Sequence, residues 1–282
     1  MTSMTLISAE ELHGELQSPD IVVVDCRFSL ADTELGRRQY LQDHISGARY
    51  AHLDEHLSGP VITGRTGRHP LPDQTAFIAQ LSAWGISNQS RVIAYDGSNG
   101  AHAARLWWML RWVGHGNVLV LDGGYQQWQS SGFPVTSEQP VPTPAAFTPA
   151  ASLTRSYQAS TLDASLMKLV DARDQARFDG EMEPIDPVAG HIPGAVCLPF
   201  VTNVDESGRF LPAADLASRF RQRGLQESDN LVCYCGSGVT AAHNILALVH
   251  AGYPEPALYP GSWSEWITDP ARPIATRDKP LG

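Results

Sequence analysis

Five short runs of apolar residues recur along the chain: IVVVD (21–25), RVIAYD (91–96), VLVLDG (118–123), KLVDA (168–172) and NLVCYC (230–235). They are rich in β-branched side chains and do not alternate with polar ones. That is the pattern of strands buried on both faces of a parallel sheet. Stretches with helical spacing separate them, among them AHAARLWWMLRWV (101–113), LASRFRQRG (216–224) and TAAHNILALVHAG (240–252). Strands alternating with helices predict βαβ units, hence an α/β fold whose parallel sheets are flanked by helices. In such sheets the strand-to-helix turns at the carboxyl edge form the crevice where ligands bind.

The pattern occurs twice. VVVDCRF (22–28) matches KLVDARD (168–174), DHISGARYAHL (43–53) matches GHIPGAVCLPF (190–200), and GRHPLP (67–72) matches GRFLPA (208–213). RVIAYDGSNGAHAA (91–104) matches NLVCYCGSGVTAAH (230–243), and GGYQQW (123–128) matches GSWSEW (261–266). Order is kept and the offsets are similar: 147 from His44 to His191, 139 from Asp96 to Cys235, 138 from Trp128 to Trp266. A duplicated domain follows. Residues 134–150 carry five prolines and no strand or helix period, as an extended, semi-rigid linker would. The expected organisation is a first domain at 1–135, a linker at 136–157 and a second domain at 158–282.

Composition narrows the function. Hydrophobic residues make up 43% and charged residues 18%, a well-buried globular chain. The net charge of −10 argues against nucleic acid as a partner, and small anions would need a local positive pocket. No apolar run approaches the roughly 20 residues of a membrane helix, and the first residues lack the basic start and apolar stretch of a signal peptide. The cytoplasm is the expected location, with no membrane partner. The four cysteines, Cys26, Cys197, Cys233 and Cys235, are too few and too scattered for a disulfide framework, and no CxxC pair suggests zinc. A small buried hydrophobe is the default reading of each.

One cysteine departs from that default. After the strand ending at Tyr234 come Cys235, Gly236, Ser237, Gly238, Val239 and Thr240, and then a helix. A short glycine-rich turn of this kind can curl so that successive N–H groups point inward. The next helix adds unsatisfied N–H groups and the positive end of its dipole. A thiol at the mouth of such a bowl is favoured as thiolate, and the bowl suits an anionic sulfur group. The first copy has Asp96 at the matching position, so only the second copy carries a nucleophile.

The chain resembles the tandem-domain rhodanese superfamily over nearly its whole length. The residues that carry the resemblance are DHISGA, GHIPGA, DAR (171–173), RFDG (177–180), CGSGVTA (235–241) and GSWSEW. The loop CGSGVT is similar to that of 3-mercaptopyruvate sulfurtransferases, whereas thiosulfate sulfurtransferases tend to carry basic residues there. The resemblance implies a catalytic second domain and a noncatalytic first one. It also implies a persulfide on Cys235, cradled by the N–H groups of Gly236, Ser237, Gly238, Val239 and Thr240. Ser237 would assist proton transfer, Arg177 would bind the donor's carboxylate or sulfonate, and Thr240 would also close the loop. A histidine of the first copy is implied near the serine, and we assign that place to His44; His191 is expected to bond its own loop. The family's second arginine, nine residues beyond the first, is Asp186 here, within EPIDP (183–187). Either another basic residue takes its place or the donor preference shifts.

The expected partners are a small anionic sulfur donor and a thiol, cyanide or thioredoxin-like acceptor. No metal or organic cofactor is implied. Thiosulfate is the alternative donor. A cysteine phosphatase needs an arginine six residues after the cysteine, where this chain has Ala241. A noncatalytic binding module would bury Cys235 completely.

Overall fold

The computed structural model describes residues 5–277. They form two compact units. The first takes the chain through Gly59, then Leu71–Leu153 and Val204–Phe210; the second takes Pro60–Pro70, Thr154–Asn203 and the chain from Leu211. The contiguous division at 1–135, 136–157 and 158–282 does not anticipate the two short segments, and its outer bounds lie outside the described residues.

The first unit contains β1 (Leu6–Ile7), β2 (Ile21–Asp25), β3 (His44–Ile45), β4 (Arg49–Tyr50), β5 (Arg91–Tyr95), β6 (Val118–Leu121) and β7 (Val135–Thr136). Its helices are α1 (Ala9–Glu15), α2 (Leu35–Gln42), α3 (Leu53–His56), α4 (Gln74–Ala83), α5 (Ala103–Trp112) and α6 (Gly124–Ser130). Five strands make a parallel sheet in the order β1-β6-β5-β2-β4. β3 pairs antiparallel with β7. The proline-rich stretch is therefore not free of strand: its start, at Val135–Thr136, is held against His44–Ile45. Two paired residues are too few to leave a period in the sequence. α5 is buried at every residue from Ala103 to Leu110 and packs on β5 and β6, which explains its apolar character all round.

The second unit contains β8 (Lys168–Asp171), β9 (Val196–Cys197), β10 (Leu231–Tyr234) and β11 (Ala257–Leu258), with α7 (Gln175–Asp179), α8 (Ala213–Gln222), α9 (Thr240–His250) and α10 (Ser262–Trp266). The sheet is parallel with the order β11-β10-β8-β9, the same path as β6-β5-β2-β4. α9 packs on β10 and β11 and is buried from Ala241 to Leu248.

The duplication extends to individual interactions. Asp25 lies opposite Tyr95, and Asp171 opposite Tyr234. The Tyr95 hydroxyl donates to Asp25 Oδ2 at 2.8 Å and accepts from Ile45 N–H at 3.3 Å; the Tyr234 hydroxyl accepts from Ile192 N–H at 3.2 Å. Arg27 pairs with Asp25 at 2.7 Å and Arg173 with Asp171 at 2.6 Å, all four buried. Burial pushes the Asp25 carboxyl up, and the Arg27 guanidinium offsets part of that. His44 stacks on Tyr40 and its Nδ1 lies 2.7 Å from the Tyr40 carbonyl; His191 does the same with Phe178 at 2.7 Å. Trp128 and Trp266 each donate their indole N–H to a proline carbonyl, Pro134 and Pro273.

One matched pair of segments is exchanged. Gly67-Arg68-His69 belongs to the first copy in sequence but folds with the second unit, and Gly208-Arg209-Phe210 does the reverse. In the first unit, Phe210 N–H donates to Asp122 Oδ1 at 2.8 Å.

Replacing Tyr95 with Phe strips Asp25 of a donor and Ile45 N–H of its acceptor. We expect a loss of about 1–3 kcal/mol, the usual cost of orphaning a buried polar group. Urea unfolding combined with amide hydrogen exchange checks this, with Ile45 losing protection beyond the global change.

Candidate active site

β10 ends at Tyr234 and α9 begins at Thr240, so Cys235–Val239 must reverse the chain direction. Gly238 sits at φ +79°, and a Cβ there would lie 2.4 Å from the Pro260 carbonyl oxygen. Both facts require glycine. The turn brings Gly238 N–H onto the Cys235 sulfur at 3.1 Å. No side chain caps α9, whose N-cap is Val239, so the positive end of its dipole opens onto the loop.

A second layer fixes the loop. Cys235 N–H donates to Ser262 Oγ at 3.1 Å, and that hydroxyl donates to the Tyr259 carbonyl at 2.9 Å. Trp263 N–H donates to Cys235 O and Ser264 N–H to Gly236 O, each at 2.9 Å. Ser262 adopts φ 55°, a left-handed conformation that costs a non-glycine residue about 1–3 kcal/mol.

The first unit explains what such a loop is for. Tyr125 N–H and Gln126 N–H donate to Asp96 O and Gly97 O at 2.8 and 3.0 Å, as Trp263 and Ser264 do in the second unit. Gly100, at φ +78°, donates to Asp96 Oδ1 at 3.0 Å, as Gly238 does to sulfur. Ser98 N–H also reaches Oδ1 at 3.1 Å, while His102 and Ala103 N–H reach Oδ2 at 2.8 and 3.3 Å. Four backbone donors thus surround a carboxyl group. The loop is an acceptor-binding bowl, filled by the protein's own side chain in the first unit and presenting sulfur in the second.

Ser237 is buried, and its Oγ lies 2.7 Å from His69 Nδ1. His69 arrives on the exchanged segment. Arg177 is also buried; its guanidinium holds Glu183 at 2.8 Å and Asp186 at 3.2 Å rather than Asp174 or Asp179. Asp174 instead caps α7 by accepting from Arg177 N–H. Arg173 shares Glu183 at 3.3 Å and lies over the Trp263 ring. Burial raises the Glu183 carboxyl, but hydrogen bonds from Arg177 and the Asp186 amide outweigh it and leave it lowered. Arg68 pairs with the far oxygen of Asp186.

His44 is not the imidazole on Ser237. Its Nδ1 and Nε2 face the carbonyls of Tyr40 and Glu138, at 2.7 and 3.1 Å, within the first unit. The ring sits in a structural loop shared with His191, so the conserved geometry of the repeat, rather than chemistry, accounts for it. Sequence reasoning missed Arg68, His69 and Ser262. A signal existed: His69 stands opposite Phe210 in the repeat, a polar-for-apolar difference that tracks Cys235 against Asp96.

Cys235 is only 2% exposed. Burial alone therefore fails to separate it from a structural thiol, and the distinction rests on its neighbours. Burial pushes the thiols of Cys26 and Cys233 far up and that of Cys197 up to about 12. The Cys235 sulfur, in contrast, accepts from the amide of Gly238, a left-handed loop residue. Elsewhere, Glu34, His52 and Glu55 converge as metal ligands could, but Arg37 already pairs both carboxylates at 3.0 and 2.6 Å.

The family profile of the rhodanese-like domain matches residues 8–131 and 154–269. A Pseudomonas aeruginosa protein named "Probable 3-mercaptopyruvate sulfurtransferase" is 50% identical over 99% of this chain and all of its own length. The thiosulfate sulfurtransferase of Rattus norvegicus is 35% identical over 92% of this chain and 89% of its own. Among solved structures, the 3-mercaptopyruvate sulfurtransferase from Leishmania major superposes with a TM-score of 0.82 at 32% identity, covering 94% of this chain and 75% of that one.

Asp96→Ala empties the first unit's bowl. We expect destabilisation by at least the roughly 1–3 kcal/mol of one orphaned buried donor. Sulfate should recover part of the loss, relative to chloride and beyond its effect on the unsubstituted protein. Thermal unfolding in the two salts measures it; equal sulfate effects on both proteins would show that the bowl holds no anion.

Proposed function

The chain belongs to the rhodanese family, and from that premise we propose that it transfers sulfur from 3-mercaptopyruvate to a thiol or cyanide acceptor through a persulfide on Cys235. The Cys235 thiolate attacks the donor sulfur. An S–S bond forms, the S–C bond breaks, and its electron pair stays on carbon as the enolate of pyruvate. A proton delivered to that carbon completes pyruvate. The donor's thiol proton is released, leaving an anionic outer sulfur. The loop N–H groups from Gly236 to Thr240 stabilise it. An acceptor thiolate then attacks the outer sulfur, breaks the S–S bond and regenerates the Cys235 thiolate, so one hard transfer becomes two easier ones.

The contact between Ser237 Oγ and His69 Nδ1, 2.7 Å, carries the choice of donor. A carbon leaving group needs a proton, and a hydroxyl joined to an imidazole beside the nucleophile can supply one. Thiosulfate releases sulfite, a stable anion that needs none. The loop also carries no basic side chain of its own. Thiosulfate remains the second reading, supported by the relatives named for it.

Cys235→Ser should abolish transfer from either donor while the fold survives. Ser237→Ala should lower kcat with mercaptopyruvate by about 100-fold, the low end of general acid catalysis, and leave thiosulfate turnover nearly unchanged. Steady-state kinetics with both donors measures this, and a tenfold or greater preference of the unsubstituted enzyme for thiosulfate would overturn the donor assignment.

A further inference from the structure

Two guanidinium groups overlie the residue that follows the nucleophile. A Cβ placed on Gly236 would lie 2.8 Å from Arg68 Nη2 and 3.5 Å from Arg177 Nη2. Arg177 comes from α7, within the second copy. Arg68 comes from the exchanged segment, which is clipped in place at two points. Arg68 N–H donates to Ser264 Oγ at 3.1 Å, and Gly67 passes so close that a Cβ there would lie 2.5 Å from the Gly261 carbonyl. Ser264 N–H in turn holds Gly236 O. The backbone that carries Arg68 is thus tied directly to the nucleophile loop.

Asp186 joins the two cations. Its Oδ2 lies 3.2 Å from Arg177 Nη2, and its Oδ1 pairs with Arg68 Nη1. Its own N–H donates to Glu183 Oε1 at 3.1 Å, and Glu183 accepts from Arg177 Nε. Arg68 therefore uses one terminal nitrogen to hold Asp186 and turns the other toward Gly236. Its Nε is buried with no hydrogen-bond partner among the described residues. A buried donor left unmatched on a side chain whose Nη2 overlies the residue after Cys235 has capacity for an acceptor that arrives with the substrate.

We propose that Arg68 is the second donor-binding guanidinium of this enzyme, completing with Arg177 the clamp for the donor's carboxylate, and that Asp186 acts as the strut that holds Arg68 over Gly236. The proposal rests on the mercaptopyruvate reading. In that donor only the ketone carbon separates the carboxylate from the carbon that bears sulfur, so a clamp one residue from Cys235 matches its length. A guanidinium fork suits a planar carboxylate. The positive charge is thereby supplied from residue 68, and position 186 is free to be acidic because it meets two arginines.

Two measurements on Arg68→Ala and Arg68→Lys test this. With mercaptopyruvate, Arg68→Ala should raise KM about tenfold or more, as expected for loss of a charged hydrogen bond, with a smaller change in kcat. Arg68→Lys should recover only part of it, and Arg68→Ala with Asp186→Arg should recover more by restoring a guanidinium. The second readout is alkylation of Cys235 by iodoacetate and by neutral iodoacetamide. The rate ratio, iodoacetate over iodoacetamide, should fall in Arg68→Ala with the thermal unfolding midpoint kept and the iodoacetamide rate little changed, whereas a general loss of fold would expose the thiol and speed iodoacetamide. An unchanged KM and an unchanged ratio would overturn the role of Arg68. No turnover of mercaptopyruvate by the unsubstituted enzyme would overturn the donor reading instead, and the alkylation ratio would still decide whether Arg68 binds a carboxylate at this place.

Discussion

A strand that ends against a helix start leaves backbone N–H groups with no partner, and the rest of this molecule is arranged around supplying one. In the first unit the acceptor is a carboxyl group, Asp96, held by four amides. In the second it is the Cys235 sulfur, held by Gly238 N–H. The sheets, the buried helices α5 and α9, and the backbone clips from the first turns of α6 and α10 all serve to hold that bowl in shape. The requirement is the same in both units; only the acceptor differs.

That view accounts for the pairing of a filled and an open site. In the first unit the Asp96 carboxyl already accepts from the amides of its bowl. Cys235 satisfies the second less fully, because one sulfur is a weaker and single-atom acceptor. The remaining capacity is what a terminal sulfur or a donor's oxygens can use. A carboxylate in one copy and a thiol in the other need no change to the scaffold, since Asp25, Arg27 and Tyr95 have their counterparts in Asp171, Arg173 and Tyr234.

Around the open bowl, charge is balanced rather than concentrated. Arg68, Arg173 and Arg177 face Asp171, Glu183 and Asp186. Burying a charge without a partner is costly, so each guanidinium near Cys235 is held by a carboxylate even though the substrate is itself an anion. Burial raises the Asp186 carboxyl, Arg68 opposes this, Glu183 adds to it, and the net direction is upward. An arriving carboxylate therefore shares the cluster with an acid that ionises less readily than usual. In a chain of net charge −10, these pairings gather three guanidinium groups in the second unit without leaving any of them buried and unpaired.

The sequence by itself determined the α/β class, the duplication and the glycine-rich loop that carries Cys235. Those are local facts: apolar runs, glycines at fixed places, and a Cys where the other copy has Asp. Arg177 was singled out by the family resemblance, and it lies on α7, a short turn after β8. The two-residue strands escaped the sequence reading, since pairing of that length leaves no period. So did the imidazole on Ser237 and the second guanidinium. His44 lies in a loop whose stacking on Tyr40 is repeated by His191, and the ring is consumed by that packing. Arg68 and His69 were visible as a repeat element, GRHPLP against GRFLPA, but their place was decided by the exchange of that element between the two units. Which unit a short segment completes depends on contacts distant in sequence, Gly67 against Gly261 and Arg68 against Ser264, and only the folded chain brings those together.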